Sequence, residues 1–489
     1  MTPDSSRRPW AARLRTWLAA PESPIVLGVF RLGFGLVMAA SLVRFLLLGW
    51  AGPLYVEPAV RFTYPGFGWV QPLPLWAVNG LLVVALVAAL GFAVGRGWRV
   101  WMALFVAAFT YVELIDATTY LNHYYFVTVV GLLMLALPMD AALVPGRVPS
   151  ASVPRWTVTA LRVQIGMVYV LAGVAKLHPD WLVDAMPLRI WLPARSGLPV
   201  IGPLLDLEWM PWVFSWAGAA FDLLVPFALS VRRLRPWAYA AALVFHAMTY
   251  ALFTIGVFPF VMMVAALVFF EPDEWRALTA WLGRVRLLLA RSLPRKPPPG
   301  REGRNSSGTP SSTKRSQIPF LSLSRLGTEA ERPRPPVRTS RWVAAGVAVW
   351  LAVQVLLPFR HWLYPGDRFW TDEGYRFAWH VMVTQRTGVA SFHVRDPGSG
   401  REWTVLPSDD LTPFQERRMA VQPDFVWQYA HHVEDRFREA GYADVEVRAE
   451  VYVSLNGRPS QPLVDPDVDL TQQPRTLRPK SWVLPHPNL

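Results

Sequence analysis

The chain of 489 residues contains no cysteine at all. That excludes disulfides, thiolate nucleophiles and thiolate metal sites in one step. Charge is scarce as well: only 17% of the residues are Asp, Glu, Lys or Arg, against 53% hydrophobic ones. That is too apolar for a soluble protein of this length. The common catalytic fingerprints are missing too, with no P-loop, dinucleotide motif, GxSxG or HExxH. No helix-turn-helix, zinc-finger or RNA-binding pattern accompanies the net charge of +13, so no nucleic-acid partner is expected.

What the chain does have is 24 tryptophans and repeated apolar runs. The runs approach the ~20 residues needed to cross a bilayer. They read as nine spans, at 25–48, 73–95, 98–116, 124–143, 157–177, 209–231, 236–250, 253–270 and 341–358. The seventh and eighth lie close enough together to form one bent, partly re-entrant unit. The expected fold is a mainly α polytopic membrane protein with a small C-terminal α+β domain.

Charge placement orients these spans. The N-terminal segment 1–24, MTPDSSRRPWAARLRTWLAA and onward, is basic and too interrupted for a cleavable signal peptide. If it stays in the cytoplasm, the loops after the even-numbered spans are cytoplasmic. Those loops carry Arg96 and Arg99, Arg147 and Arg155, Arg232, Arg233 and Arg235, and then the dense basic stretch from Arg276 to Arg341. All four obey the positive-inside rule. The transmembrane part then covers 25–289 and ends in a basic, Pro- and Ser-rich linker over 290–340 that lacks the apolar density to fold. The last span follows at 341–358, and residues 359–489 form the extracytoplasmic domain. Within it, ASFHVRDPGSGREWTVL has the pattern of a hairpin. Phe425, Tyr429, Val433 and Phe437 recur at helical spacing before Gly441. VEVRAEVYVSLNGRP alternates like strands around an Asn-Gly turn.

The unusual polar residues collect at one end of this map. VYVLAGVAKLHPDW closes the fifth span with a single ammonium group, Lys176. Asn122 and His123 lie between spans three and four, and His246 lies near the outer end of span seven. Two readings of Lys176 stand: a snorkelling interfacial anchor, or a functional amine facing protein. Its small neighbours Ala172, Gly173 and Ala175 allow close helix packing and favour the second. A desolvated lysine has a lowered pKa and becomes a general base at ordinary pH. Asn122 and His123 also suit a tight turn, and His246 a hydrogen-bonded core histidine. From the residues alone, the chain is a membrane enzyme or transporter with an outward-facing polar site.

At these positions the sequence resembles the vitamin K-dependent γ-glutamyl carboxylases. VYVLAGVAKLHPDW is similar to that family's IVYFIAGVKKLDADW, with Lys176 on the second, catalytic lysine. YLNHYYF resembles NNHSY, and FHAMTYALFTIGVFPF resembles FHCMNSQLFSIGMF, which sets His246 on a family histidine. RFWTDEGYRFAWHVMVTQR follows the WT…Y…W…MMVH.R pattern through Trp370, Tyr375, Trp379, Met382 and Arg386. LNGRPSQPLVDPDVDL resembles INDR…DPRVDI.

The resemblance implies an enzyme that uses reduced vitamin K (the hydroquinone), O2 and CO2, with no metal expected. Lys176 would deprotonate the quinol. Reaction with O2 then gives a far stronger base, which removes a γ-proton from a substrate glutamate before CO2 adds, and the quinone leaves as its epoxide. Asn122, His123 and His246 would orient quinol oxygens or stabilise oxyanions. Trp370, Tyr375, Met382 and Arg386 would form the glutamate pocket, the arginine matching the carboxylate. The implied partners are a glutamate-containing peptide or protein, a membrane quinone and the lipid bilayer. A compact chain rich in Arg, Ala and Pro suits a bacterial homologue in the plasma or inner membrane. The departures are Ala175 for the first paired lysine, Val381 for the first methionine, Thr384 for a histidine, and the missing disulfide. The family's further C-terminal region also finds no counterpart. Thr384 and the missing C-terminal region motivate one alternative, a quinol-oxygenating protein without peptide carboxylation; another is a non-catalytic quinone- or lipid-binding membrane protein, or a transporter, on the same scaffold.

Overall fold

The computed structural model describes residues 9–253, 255–275, 277, 284 and 334–487. An amphipathic helix α1 (Trp10–Ala19) leads into α2 (Ile25–Leu47). Helices α3 (Leu75–Val94), α4 (Trp98–Leu114), α5 (Asn122–Ala136) and α6 (Arg155–Ala175) follow. Three single-turn helices, α7 (Pro179–Leu182), α8 (Leu188–Trp191) and α9 (Gly202–Leu205), cross the end of the bundle next to Lys176. The bundle is completed by α10 (Met210–Ser230), α11 (Arg235–Leu252), α12 (Phe258–Ala265) and the helix Arg341–Leu356.

Five helices among the described residues are long and apolar enough to cross a membrane: Ile25–Leu47, Leu75–Val94, Arg155–Ala175, Met210–Ser230 and Arg341–Leu363. The other expected spans form shorter or more polar helices, for local reasons. Pro138 disfavours helical backbone at Leu137, so α5 stops at Ala136 rather than running to 143. Gly256, at φ +63°, breaks the expected 253–270 run, and α12 begins only at Phe258. The expected linker lies outside the described residues as far as position 333.

Small residues set how closely the helices approach. A Cβ on Gly35 of α2 would lie 2.6 Å from the Ala89 carbonyl oxygen of α3, and one on Gly173 of α6 would lie 2.7 Å from Leu223 Cγ of α10. Both contacts require glycine. At the other end, the fully buried Arg31 donates to four carbonyls, those of Ala93, Met139, Ala142 and Leu143. Those bonds tie α2 to the chain after α3 and α5, and they occupy a guanidinium that lipid could not solvate.

The C-terminal region folds as expected from its alternation. Besides the short ribbon of β1 (Pro21–Glu22) and β2 (Val153–Pro154) in the bundle, an antiparallel sheet runs β4-β3-β5-β6, with β3 (Arg386–Arg395) between β4 (Glu402–Val405) and β5 (Glu446–Leu455), and β6 (Gln461–Pro462) at the edge. The helix Pro423–Glu439 buries Phe425, Tyr429 and Val433. Asn456 and Gly457, both at positive φ, make the turn between β5 and β6. This core continues into the bundle's connecting loops, because Phe62, Tyr64 and Ala117 belong to the same buried cluster. Gln415 bridges the Val60 carbonyl at 2.8 Å and Asp116 Oδ2 at 2.7 Å. The strand-bearing region and the bundle are therefore packed together rather than loosely tethered.

Candidate active site

Lys176 caps α6 and faces protein, with only 5% of its surface exposed. Its Nζ lies 2.7 Å from Asp222 Oδ2 and 3.3 Å from the Ala172 carbonyl, and 5.3 Å from the centre of the Trp181 ring. Asp222 comes from α10 and is equally buried. The close α6–α10 approach at Gly173 brings these two groups together. Two turns earlier on α6, the Tyr169 hydroxyl meets His246 Nε2 at 2.8 Å. Phe221, beside Asp222, packs edge-on against both Tyr169 and His246. Lys176, Asp222, Tyr169 and His246 thus form one polar cluster inside an aromatic interior. The lysine and aspartate share a short, buried, charge-assisted hydrogen bond.

The other predicted residues fall into two further groups. His123, 9% exposed, packs between Tyr124 and Phe258. Asn122 accepts from the Tyr120 hydroxyl at 2.9 Å and donates to the His380 carbonyl at 3.2 Å. That carbonyl also accepts from the Tyr375 hydroxyl at 3.2 Å. Asn122 and Tyr375 therefore converge on one peptide group of the segment that joins the bundle to the sheet. That segment is strained: Asp372, Phe377, Trp379 and Met382 all take positive φ, between 53° and 62°. Such backbone persists only where packing over-determines it, typically at functional sites.

Arg386 opens β3 and pairs with Asp372 Oδ1 at 2.7 Å, while its Cζ lies 5.8 Å from the Tyr375 ring centre. Its Nη1 donates to the Trp370 carbonyl at 3.3 Å. Trp370 is fully buried, and its indole N–H donates to the Leu484 carbonyl, so its side chain supports the domain core beneath the arginine. Arg418 also faces Tyr375, Arg386 and Asp372, and burial holds its guanidinium below the ordinary arginine range. His380 packs against Tyr375 and lines a small cavity with Ala175, the residue before Lys176, and His361. Burial holds its imidazole well below the ordinary histidine range, with Arg368 and His361 adding to the effect.

The loop after Lys176 is clasped from the C-terminal region. Asp180 receives a bidentate contact from Arg458 at 2.6 and 2.7 Å and another bond from Asn456 at 2.7 Å. Burial works to raise the Asp180 carboxyl, but Arg458 and Asn456 outweigh it and hold it below the usual aspartate range. Next to it, the Trp181 indole donates to the Ser215 carbonyl at 2.9 Å, and the Ser215 hydroxyl donates back to the Trp181 carbonyl. Sequence reading missed Asp222, Tyr169, Asp372 and the Asp180–Arg458 contact. Asp222 did carry a signal: it is a lone carboxylate in the apolar run WAGAAFDLLVPFALS.

No solved structure matches this chain. Two family models do. Residues 20–275 match the HTTM domain, which spans the bundle from β1 (Pro21–Glu22) through α12 and includes Lys176, Asp222 and His246. Residues 339–488 match the lumenal domain of vitamin K-dependent gamma-carboxylase, which includes the strained segment, Arg386 and Arg458. With both halves matched in order along one membrane-type chain, the protein belongs to the vitamin K-dependent γ-carboxylase family.

Proposed function

We propose that this chain couples oxygenation of a reduced vitamin K-type quinol to carboxylation of a peptide glutamate. The quinol becomes its epoxide, O2 supplies the epoxide oxygen and a water, and the glutamate γ-carbon exchanges a proton for CO2. The observation that carries this reading is the buried Lys176–Asp222 pair at 2.7 Å, set in the stretch VYVLAGVAKLHPDW that resembles the family's lysine motif. The residue types suit a quinol headgroup: the Lys176 amine and the Tyr169–His246 pair offer groups for its hydroxyls, and Phe221 and Phe245 beside His246 offer aromatic surface for its ring.

When bound, reduced vitamin K supplies, with O2, a base strong enough to remove a glutamate γ-proton. The protein's own tasks are then limited. Lys176, as the base, takes the first hydroxyl proton, and Asp222 stabilises the ammonium so formed. His246, His123 and Asn122 hold oxygens, and the aromatic interior excludes water that would quench a strong base. Arg386, with Tyr375 beside it, Trp370 beneath it and Met382 four residues before it, receives the substrate carboxylate. The reading carries a topology with it: nine membrane passes, a cytoplasmic N-terminus, and the sheet domain of residues 359–489 outside, so that quinol arrives from the bilayer and peptide from the aqueous face.

The decisive experiment incubates purified protein with reduced vitamin K, O2, labelled CO2 and a panel of glutamate peptides. Labelled carboxylate and epoxide should form together, and Lys176→Ala should abolish both. Epoxide formation that survives in Lys176→Ala removes the lysine from its role as base. Epoxide without incorporated CO2 from any peptide selects the oxygenase reading, which Thr384 in place of the family's histidine favours.

A further inference from the structure

A second site lies apart from the lysine cluster. Between α4, α5 and the loop after α2, a cavity of about 80 Å³ is lined by Tyr64, Glu113, Tyr120, Tyr124, Tyr125 and Phe377. Two threonines, Thr110 and Thr128, complete its polar wall, whereas Lys176, His123, His246 and Arg386 do not line it. At roughly 10–15 Å³ for each water-sized group, it has room for a small amine of a few non-hydrogen atoms.

Glu113 stands in the last turn of α4. Its Oε2 accepts from the Thr128 hydroxyl at 3.3 Å, and Thr128 meets Thr110 at 3.1 Å. Its Oε1 is shielded from solvent and has no hydrogen-bond partner. Among the described residues no lysine, arginine or histidine pairs with this carboxylate. A carboxylate there also lies at the negative end of the α4 dipole, where a positive charge is favoured and a second negative one is not.

The surrounding wall is aromatic. Tyr64, Tyr120 and Tyr125 gather around Phe377 with ring centres 6.4, 5.4 and 4.8 Å from it, and Tyr124 adds a fourth hydroxylated ring. Ring faces attract cations, most strongly when the cation is stripped of water. An inorganic cation would instead require several oxygen ligands around it, and no cluster of three metal-ligating side chains occurs among the described residues. A bulky organic cation suits both the rings and the single carboxylate.

We propose that this cavity binds an organic ammonium group, with Glu113 as its counter-ion and the four tyrosines and Phe377 as its cage. The group comes either from the amine headgroup of a phospholipid or from a free small amine. The site adjoins the residues assigned to the quinol, since the Tyr120 hydroxyl donates to Asn122 and Tyr124 packs on His123, but it is argued from Glu113 and the cavity alone and not from the carboxylase reading.

The test uses the full-length protein, with calorimetric titration of choline and of 3,3-dimethylbutanol, which has choline's shape without its charge. Choline should bind saturably, and the alcohol about tenfold or more weaker. Glu113→Gln should lose choline binding by a similar factor. Tyr125→Leu provides a second variant that thins the cage without touching the carboxylate, and it should weaken choline more than the alcohol. In nanodiscs of phosphatidylcholine, a headgroup already in the cavity blocks added choline, whereas nanodiscs of phosphatidylglycerol leave it open. Choline binding in both kinds of disc assigns the free amine. Equal binding of choline and the alcohol, or unchanged choline binding in folded Glu113→Gln, overturns the proposal.

Discussion

Replacing Asp222 with asparagine keeps the shape of the side chain but removes the charge 2.7 Å from Lys176 Nζ. Breaking a buried pair from one side costs about 3–5 kcal/mol, because the remaining charge loses its partner. Asp222→Asn should therefore unfold at a clearly lower temperature in detergent than the parent protein. Adding Lys176→Met should recover much of that loss, and a double variant no more stable than Asp222→Asn would show that the pair is not the source. Both residues were visible in the sequence as isolated charges in apolar runs. Their pairing was not, because they lie 46 positions apart on different helices and meet only where Gly173 lets α6 and α10 close up. The same holds for Tyr169 and His246, which are 77 positions apart.

Among the elements, the single-turn helix α7 and the β5–β6 turn depend on one ionic contact. Asp180 and Arg458 are 278 positions apart, yet they form a bidentate bond that holds the loop following Lys176. A double-mutant cycle with Asp180→Asn and Arg458→Gln should give a coupling of about 1.5–3 kcal/mol, as for charged hydrogen bonds. The pH dependence follows from the depressed Asp180 carboxyl. Its contribution is fully present above the unfolded aspartate value of about 3.9 and is lost as pH falls through the lower folded value. Asp180→Asn should thus destabilise the protein at neutral pH, and the gap from the parent should close only in that acidic window. A constant gap down to the lowest pH would remove the carboxylate from the explanation. Secondary structure itself was largely legible in the C-terminal region: the helix ending before Gly441 and the Asn456-Gly457 turn follow from spacing and turn chemistry. Helix length in the bundle was less legible, since apolar runs continue through Pro138 and Gly256 although helices do not.

For the whole molecule, topology is the property to measure, and the absence of cysteine makes the chain its own labelling background. Ser399→Cys lies in the exposed β3–β4 turn, and Arg233→Cys in the exposed connection between α10 and α11. In intact cells a membrane-impermeant maleimide should label the first and not the second until the membrane is opened. The reverse pattern would invert the orientation derived from the arginine-rich loops. Substrate access depends on the same geometry. The core shared by Phe62, Tyr64, Ala117 and the sheet fixes the C-terminal region over one end of the bundle, which sets Arg386 and the strained 372–382 segment on the side of Lys176.

Taken alone, the amino-acid sequence determined that this is a membrane protein, which family it resembles, and which lysine to watch. Each of these follows from local composition or contiguous motifs. Only the tertiary structure decided that Lys176 is paired with a carboxylate, that Arg458 grips the loop beside it, and that Glu113 lines one cavity with four tyrosines. Those contacts join residues far apart in the chain, and their partners are set by how closely helices and loops pack, which no local pattern encodes.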